Sequence, residues 1–303
     1  MADNQDLTGS HQHASTDTPE RCDRADISND RPVKPASIIL DLLRTYAERG
    51  TSAANIMATG AMFGFSGNRM RVGLSRLVAR QTIENFRRGY YRLNRTTDPF
   101  NTFVERWRLG EARMRPWDQR WLLIHRGDGL DHTKGIKGEW ALTHTGFCEI
   151  SKNCWIRPDN LVLTPAELEQ QLHYLGLENG AIGASGAELN RRWQQRWLAY
   201  FEPEKINNRY RKMYQRLTNS LNELPNLGTT AAMKSSFQLG GQAIEILATD
   251  PLLPAELIDT SPRESLWRLM LEYDRVGREF WASADNSIPI TMPSAQIALK
   301  HAR

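Results

Sequence analysis

Apolar positions in the first structured part of the chain recur every three or four residues, the spacing that places them on one face of a helix. The pattern predicts a first helix over 36–49, and Thr51 or Ser52 can cap a short second helix after it. Ser66 can cap a third helix over 67–80. Only a short turn separates the second and third helices, so the stretch is typical of a helix-turn-helix.

A β-hairpin is predicted immediately after the third helix. Residues 82–86 and 90–94 have the composition of paired strands. The turn falls on 87–89, where Gly89 can adopt the left-handed backbone that tight turns need. Three helices followed by a hairpin is the chain order of a winged helix-turn-helix, so we expect that domain over 32–98.

The remainder of the chain is predicted to hold a small sheet followed by a helical region. Apolar runs at 121–124 and 148–156 predict strands, and the proline after Thr164 marks the first turn of a helix. Longer helical patterns follow, so the predicted fold class is α+β and mainly helical. These patterns cover 204–221, 229–247 and 263–281.

An aromatic stripe lies in the helical region, with its members at helical spacing. The residues are Trp193, Trp197, Tyr200 and Phe201. Core packing is the first interpretation of such a stripe, and an inducer pocket or a dimer face is the alternative.

Composition completes the division into domains. Both ends of the chain are polar and too poor in apolar residues to offset the entropy of ordering, so we expect them to be disordered or flexible. The expected boundaries are 1–31 for a disordered tail, 32–98 for the winged DNA-binding domain, 99–116 for a linker helix, 117–180 for a central domain, 181–284 for a helical C-terminal domain and 285–303 for a flexible tail.

The charge of the chain is concentrated in the winged segment. The whole sequence carries 39 basic and 35 acidic side chains, and the net charge of +4 does not identify a partner. Between Arg31 and Arg95, however, twelve basic residues accompany only three acidic ones, so this stretch carries +9 and the remainder carries −5. Such a distribution is typical of a segment that meets a polyanion, attached to a body that does not.

The outer face of the third helix is basic and contains no acid. At 100° per residue, the core stripe consists of Met70, Leu74, Leu77 and Val78, and the polar side chains fall opposite it. Arginine and asparagine can read guanine and adenine in the major groove, while serine and further arginines can hold phosphates. A solvated helix face is the alternative interpretation, but such faces usually mix charges of both signs.

The predicted DNA-contacting residues lie on this helix and on the hairpin. Arginines at a hairpin tip can enter the minor groove or bind phosphates. The alternative is a charged strand edge that keeps the sheet from pairing with another chain. The predicted residues are Ser66, Asn68, Arg69, Arg71, Ser75, Arg76 and Arg80 on the helix, and Arg87, Arg88, Tyr90 and Arg92 on the hairpin.

No arrangement in the sequence predicts catalysis, a metal site or a cofactor. Three cysteines exclude a disulfide scaffold, and His144, Cys148 and Cys154 match no zinc spacing. Phosphate-binding loops and nucleophile motifs are not found. A polar group beside two glycines is interpreted as an exposed turn, with a hydrolase or metal site as the alternative; it consists of His125, Asp128, Asp131 and His132.

Apolar runs in the chain are short. None approaches the roughly 18 residues of a membrane span, and no signal peptide is recognisable. We therefore expect a cytoplasmic protein without a membrane partner.

Three stretches in order resemble the PaaX family of transcriptional repressors, the phenylacetic acid degradation type. The first covers the third helix and the hairpin, and the other two lie in the central and C-terminal parts of the chain. They are 66–80 (SGNRMRVGLSRLVAR) continued at 86–94 (FRRGYYRLN), 117–124 (WDQRWLLI) and 250–257 (DPLLPAEL).

The resemblance implies a homodimer that binds double-stranded operator DNA and represses an operon for aromatic catabolism. It also implies a ferredoxin-like central domain, a mostly helical C-terminal domain, and release from DNA by a small-molecule inducer, an aryl-CoA thioester or a related aromatic metabolite. Segment 125–145 departs from the family pattern, because a glycine-containing turn follows Ile124 and the helix expected near 131–142 is poor in leucine. A hydrolase or interaction protein that retains a winged docking module is the alternative function.

Overall fold

The structure, a computed structural model, describes residues 34–46, 49–94, 103–126, 132–178 and 180–284. Over these residues the fold is α+β and mainly helical, with two small antiparallel sheets. None of the described helices is both long and apolar enough to cross a membrane. The predicted tails at 1–31 and 285–303 lie outside the described residues, as do Asp128 and Asp131.

The described chain begins with three helices and a three-stranded sheet. The elements are α1 (Pro35–Tyr46), β1 (Thr51–Ser52), α2 (Ala53–Met62), α3 (Gly67–Ala79), β2 (Ile83–Arg87) and β3 (Tyr90–Leu93). The sheet has the order β1-β3-β2, and both pairings are antiparallel. The predicted helices and hairpin are confirmed, whereas β1 has only two residues and carries no sequence signal.

Side-chain caps begin both α2 and α3, as the sequence predicts. The Ser52 hydroxyl accepts a hydrogen bond from the backbone N–H of Asn55 at 3.1 Å. The Ser66 hydroxyl accepts one from the N–H of Arg69 at 3.4 Å. Each cap satisfies an N–H group that the first turn of a helix leaves without a partner, so the start of each helix is set locally.

The buried side of α3 differs from the prediction at one position. Val78 is 36% exposed, while the other three predicted core residues are buried. Gly73 takes its place, because α1 passes so close that a Cβ on Gly73 would lie 3.3 Å from the side chain of Ile39. The helix therefore turns Gly73 toward α1 and Val78 toward solvent.

A four-stranded antiparallel sheet with two helices forms the middle of the chain. In chain order the elements are β4 (Trp121–Arg126), α4 (His132–His144), β5 (Cys148–Ser151), β6 (Cys154–Pro158), α5 (Pro165–Tyr174) and β7 (Gly180–Ala187). The strand order is β5-β6-β4-β7, which places β4 and β6 at the centre. The predicted strands are confirmed, and the run at 148–156 is a hairpin of two strands.

Two elements of this region depart from expectation. β7 was not predicted, because its glycine- and alanine-rich sequence has only one of the β-branched residues that mark a strand. The helix α4 forms although its sequence is poor in leucine, with Ala141 and Leu142 fully buried. Gly138 lets the guanidinium of Arg126 approach, since a Cβ there would lie 3.1 Å from a guanidinium nitrogen.

Among the described residues, four further α-helices follow, and the last three lie close to their predicted bounds. They are α6 (Arg191–Phe201), α7 (Pro203–Glu223), α8 (Thr229–Ala248) and α9 (Ser261–Ala284). Trp197 is fully buried, and its ring lies edge-on to Trp121 of β4 with 5.2 Å between centroids. The aromatic stripe therefore packs the helical region against the sheet, which confirms the first interpretation.

The linker helix predicted at 99–116 is largely a 3-10 segment in its described part. This segment, Arg106–Arg113, is kinked at Gly110, where φ is +50°. Trp107 is 2% exposed, and a Cβ on Gly110 would lie 2.3 Å from the ring of Trp267 in α9. A positive φ and so close a contact both require glycine, so a regular helix cannot continue here, and the segment is part of the buried body.

A buried ion network joins the 3-10 segment to the helices. Arg263, 2% exposed, donates hydrogen bonds of 2.9 and 3.1 Å to the Glu111 carboxylate. It also donates to the Leu253 carbonyl at 2.9 Å and lies 3.9 Å from Asp250, which accepts from the Tyr210 hydroxyl at 2.9 Å. Burial by itself lowers the pKa of Arg263, but Asp250 and Glu111 together raise that pKa above its usual range.

Replacing Gly110 with alanine should lower the free energy of unfolding by about 3 kcal/mol, because backbone strain and the overlap with Trp267 add. Urea denaturation of the full chain measures the change. The control is Gly241→Ala on the exposed side of α8, where nothing lies within 4 Å of the new Cβ. That substitution should raise the free energy of unfolding by up to about 1 kcal/mol. Equal effects of the two would contradict the kink assigned to Gly110.

Candidate nucleic-acid interface

The outer face of α3 is exposed along its whole length. Every residue predicted on this helix is exposed to solvent. The exposed residues are Ser66, Asn68, Arg69, Arg71, Ser75, Arg76 and Arg80. The structure thus leaves all the helix residues singled out in the sequence accessible, and it brings Asn68, Arg69, Arg76 and Arg80 together along one groove.

A groove of about 400 Å³ runs between this surface and the start of α1. Lys34, exposed just before α1, stands on one side of it. The prediction did not include Lys34, because only the packing of α1 on α3 brings it near the arginines. Val72, 43% exposed, adds an apolar spot to the groove. The polar side chains that line it are Lys34, Asn68, Arg69, Arg76 and Arg80.

The arginines of α3 lack a carboxylate partner within the described residues. No Asp or Glu oxygen of those residues lies within 4 Å of their guanidinium groups. The guanidinium of Arg69 lies 5.3 Å from the centre of the Phe65 ring, a cation–π contact at the start of the helix. Because arginine stays protonated at physiological pH, this face carries positive charge that no carboxylate of the described residues pairs with.

The hairpin turn is held against the helices. Gly89 has φ +73°, as predicted for the turn, and its carbonyl accepts a hydrogen bond from the N–H of Ala53 at 2.8 Å. Arg87 and Arg88 are exposed at the turn. The guanidinium of Arg87 lies 3.8 Å from the centre of the half-buried Tyr90 ring. The tip therefore presents two arginines from a position tied to α2.

Arg92 has a different environment from the other predicted hairpin residues. Its Nε donates to the carboxylate of Glu84 at 2.6 Å, and its guanidinium lies 4.8 Å from the centre of the Phe86 ring. Glu84 and Arg92 are direct cross-strand partners in the β2–β3 register. Arg92 therefore pairs across the hairpin with Glu84, and this carboxylate offsets the positive charge of Arg92.

Together the exposed cations form a surface that we call the basic face. Its members are Lys34, Arg69, Arg71, Arg76, Arg80, Arg87 and Arg88. Arginine forks match the oxygens of phosphate and the edge of guanine in pairs of hydrogen bonds, so the face is suited to a polyanion. Elsewhere in the described chain, no three His, Cys, Asp or Glu side chains gather in a way that could hold a metal ion.

No family model and no curated protein matches the chain. Among solved structures, it is similar to the uncharacterized protein Rv0674 from Mycobacterium tuberculosis, with a TM-score of 0.58 and 18% sequence identity. The likeness covers 82% of this chain and 98% of that one. At this identity it establishes a shared fold alone.

Ser66→Ala should lower the free energy of unfolding by about 1 kcal/mol, because it removes the cap that holds the first turn of α3. Thermal or urea denaturation measures the loss. Ser75→Ala is the matched control, since Ser75 is exposed in the middle of the same helix and alanine is the better helix former. If both substitutions leave stability unchanged, the Ser66 hydroxyl does not act as a cap.

Proposed function

We propose that the chain is a sequence-specific DNA-binding transcriptional regulator, with residues 32–98 as its winged helix-turn-helix domain. The order of helices and strands and the β1-β3-β2 sheet support this assignment. The observation that carries it is the basic face, where arginines of α3 and of the hairpin tip are exposed without carboxylate partners in the described residues.

In this proposal α3 is the recognition helix and lies in the major groove. Arg69 and Arg76 are seven residues apart, about 10 Å along the helix, so together they span roughly three base pairs. Each can donate two hydrogen bonds to a guanine, and Asn68 can pair with an adenine edge. Val72, exposed between them, can contact a thymine methyl group.

The other cations of the basic face serve the DNA backbone. Lys34, Arg71 and Arg80 flank the recognition residues and would bind phosphates on either side of the groove. Arg87 and Arg88 at the wing tip would reach the neighbouring minor groove or its phosphates. These contacts would position α3 and would depend on salt concentration, because binding to phosphates releases counterions.

The remainder of the chain would pair subunits and sense a metabolite. The chain order β4-α4-β5-β6-α5-β7 with the sheet order β5-β6-β4-β7 supports a ferredoxin-like central domain, followed by a helical C-terminal domain. The resemblance to the PaaX family supports a cytoplasmic homodimer that represses an aromatic catabolic operon and is released by an inducer. In the described residues the acidic groups belong mainly to this body, which would reduce its attraction to the duplex.

Arg69→Ala and Arg76→Ala should each weaken specific DNA binding by about 1–3 kcal/mol, because each removes a pair of hydrogen bonds to a base. Fluorescence anisotropy with DNA from upstream of the chain's own gene, and with a shuffled duplex, measures the specific and the non-specific affinity. Arg268→Ala removes an arginine that is also exposed, from α9, and is the control. Wild-type protein that binds both duplexes equally well would contradict sequence-specific regulation.

Glu84→Gln should raise DNA affinity about two- to fivefold at low salt, because it removes a negative charge from the hairpin and releases Arg92. The same anisotropy titration, repeated at increasing salt, should show the gain disappear as screening increases. Glu264→Gln removes the carboxylate of a comparable exposed pair in the first turn of α9 and should leave the affinity unchanged. A gain in both variants would trace the effect to net charge and not to the hairpin.

A further inference from the structure

The groove beside α3 is lined by apolar residues as well as by cations. Half of its lining is small or apolar: Pro35, Ala36, Val72, Gly73 and Leu77. Val72 is the most exposed of these, at 43%. A ligand that fills this groove therefore carries negative charge for the arginines and an apolar group for Val72.

The described carboxylates of the N-terminal unit, residues 34–94, are already paired elsewhere. The structure describes two in this unit, Asp41 and Glu84. Asp41 pairs with Arg44 of its own helix, and Glu84 pairs with Arg92 across the hairpin. The cations of the groove therefore obtain no paired counter-charge from the described part of this unit.

A run of carboxylates precedes the groove in the chain. Residues 17–30, which we call the acidic segment, hold five acidic and two basic side chains and carry −3. Ile27 is the single large aliphatic residue of this segment. The segment lies outside the described residues. Its first four acids are three residues apart, and the fifth follows after four: Asp17, Glu20, Asp23, Asp26 and Asp30.

The acidic segment can reach the whole groove, because the groove begins where the described chain begins. Lys34 lines the groove, and only three residues separate it from Asp30. An extended chain spans up to about 3.5 Å per residue, so the far end of the segment can lie up to about 60 Å from Lys34. The helix α3 is only about 20 Å long. So short a tether keeps a segment at an effective concentration of about a millimolar beside its site.

The spacing of the acids matches that of the arginines. In an extended chain, carboxylates three residues apart are separated by about 10 Å. Arg69 and Arg76 are separated by about the same distance along α3. Val72 is exposed between these arginines, and Ile27 follows Asp26 directly in the segment. The segment thus offers both kinds of group that the lining of the groove can bind.

We propose that the acidic segment docks in the groove beside α3 and competes there with DNA for the basic face. Its carboxylates pair with Arg69, Arg76 and Arg80, and Ile27 packs against Val72. Ion pairs at an exposed surface are individually weak, so docking depends on several pairs acting together on one short tether. The duplex has a higher density of negative charge and displaces the segment.

The consequence for DNA binding rests on the proposed function. Only a chain whose segment has left the groove can place α3 on a duplex, so the apparent affinity is reduced by the fraction of chains in which the groove is filled. Operator and random DNA displace the same segment and are affected by the same factor. Salt screens the ion pairs, so this factor approaches one as the ionic strength rises.

Carbodiimide coupling of the full chain without DNA tests the docking itself. The reagent activates carboxylates, which then form an amide with a lysine amine in contact, whereas arginine does not react. Arg76→Lys keeps the charge and places an amine in the groove, so this position should couple to the acidic segment. Mass spectrometry of the digested protein identifies the linked residues. Arg268→Lys on α9 is the control, because its exposed neighbour is Glu264, and that position should not couple to the segment.

The coupled product also identifies the occupant of the groove. A product with the mass of one chain supports docking within the chain, and high salt should abolish it. A product with the mass of two chains would overturn docking within the chain and assign the groove to the segment of a second copy. If neither Arg76→Lys nor Arg69→Lys couples to the segment more than Arg268→Lys does, the inference is wrong.

The competition is tested with a variant whose acidic segment is neutralised. Its binding to the upstream duplex and to the shuffled duplex, measured by fluorescence anisotropy, should be about five- to tenfold tighter than that of the wild type at about 0.05 M salt. At about 0.3 M salt the gain should fall below about twofold, because the ion pairs are screened. The substitutions are Asp17→Asn, Glu20→Gln, Asp23→Asn, Asp26→Asn and Asp30→Asn.

A matched control removes five exposed carboxylates from the body and changes the net charge by the same amount. It should change the DNA affinity less than about twofold at either salt concentration. The control substitutions are Glu188→Gln, Glu204→Gln, Glu223→Gln, Glu256→Gln and Glu272→Gln.

The remaining outcomes also decide the inference. Equal affinities of the wild type and the neutralised variant at low salt would overturn the competition, and so would an equal gain in the control. Because the coupling uses no DNA, a chain that binds its operator but whose segment does not couple fails only this inference. A chain whose segment couples but which binds no duplex fails only the proposed function.

Discussion

The buried guanidinium of Arg263 is the interaction on which the arrangement of the body depends. It joins Glu111 of the 3-10 segment, the loop that contains Asp250 and the start of α9, and through Asp250 it reaches Tyr210 of α7. Removing one partner from a buried ion pair typically costs about 3–5 kcal/mol, so these segments cannot shift independently. The network therefore fixes the 3-10 segment and the loop that follows α8 against the start of α9.

The features that could be predicted from the sequence are those that depend on neighbours in the chain. A cap such as Ser66 acts within three residues, and the turn at Gly89 needs only a glycine between two strand-like runs. The exposed side of α3 followed from helical periodicity, and the aromatic stripe around Trp197 from the same rule. For this reason the N-terminal elements and the candidate interface on α3 were predictable nearly residue by residue.

The features that could not be predicted depend on contacts between distant parts of the chain. Lys34 joins the basic face only because α1 crosses α3. Arg92 is engaged by Glu84 only in the register that the hairpin adopts. The strand β7 has almost no strand-forming residues and exists because β4 provides a pairing edge. The kink at Gly110 depends on the close contact with Trp267, which is more than 150 residues away in the chain. No local sequence pattern predicts such a contact.

The anchored hairpin has a consequence for the speed of binding. The hydrogen bond from Ala53 to Gly89 and the stacking of Arg87 on Tyr90 order the turn before any ligand arrives. A turn that is already ordered does not have to be organised after first contact, which would otherwise slow the capture of a partner. Encounter of the basic face with a polyanion would then proceed at a rate set by electrostatic steering and diffusion, and that rate would fall steeply as the ionic strength rises.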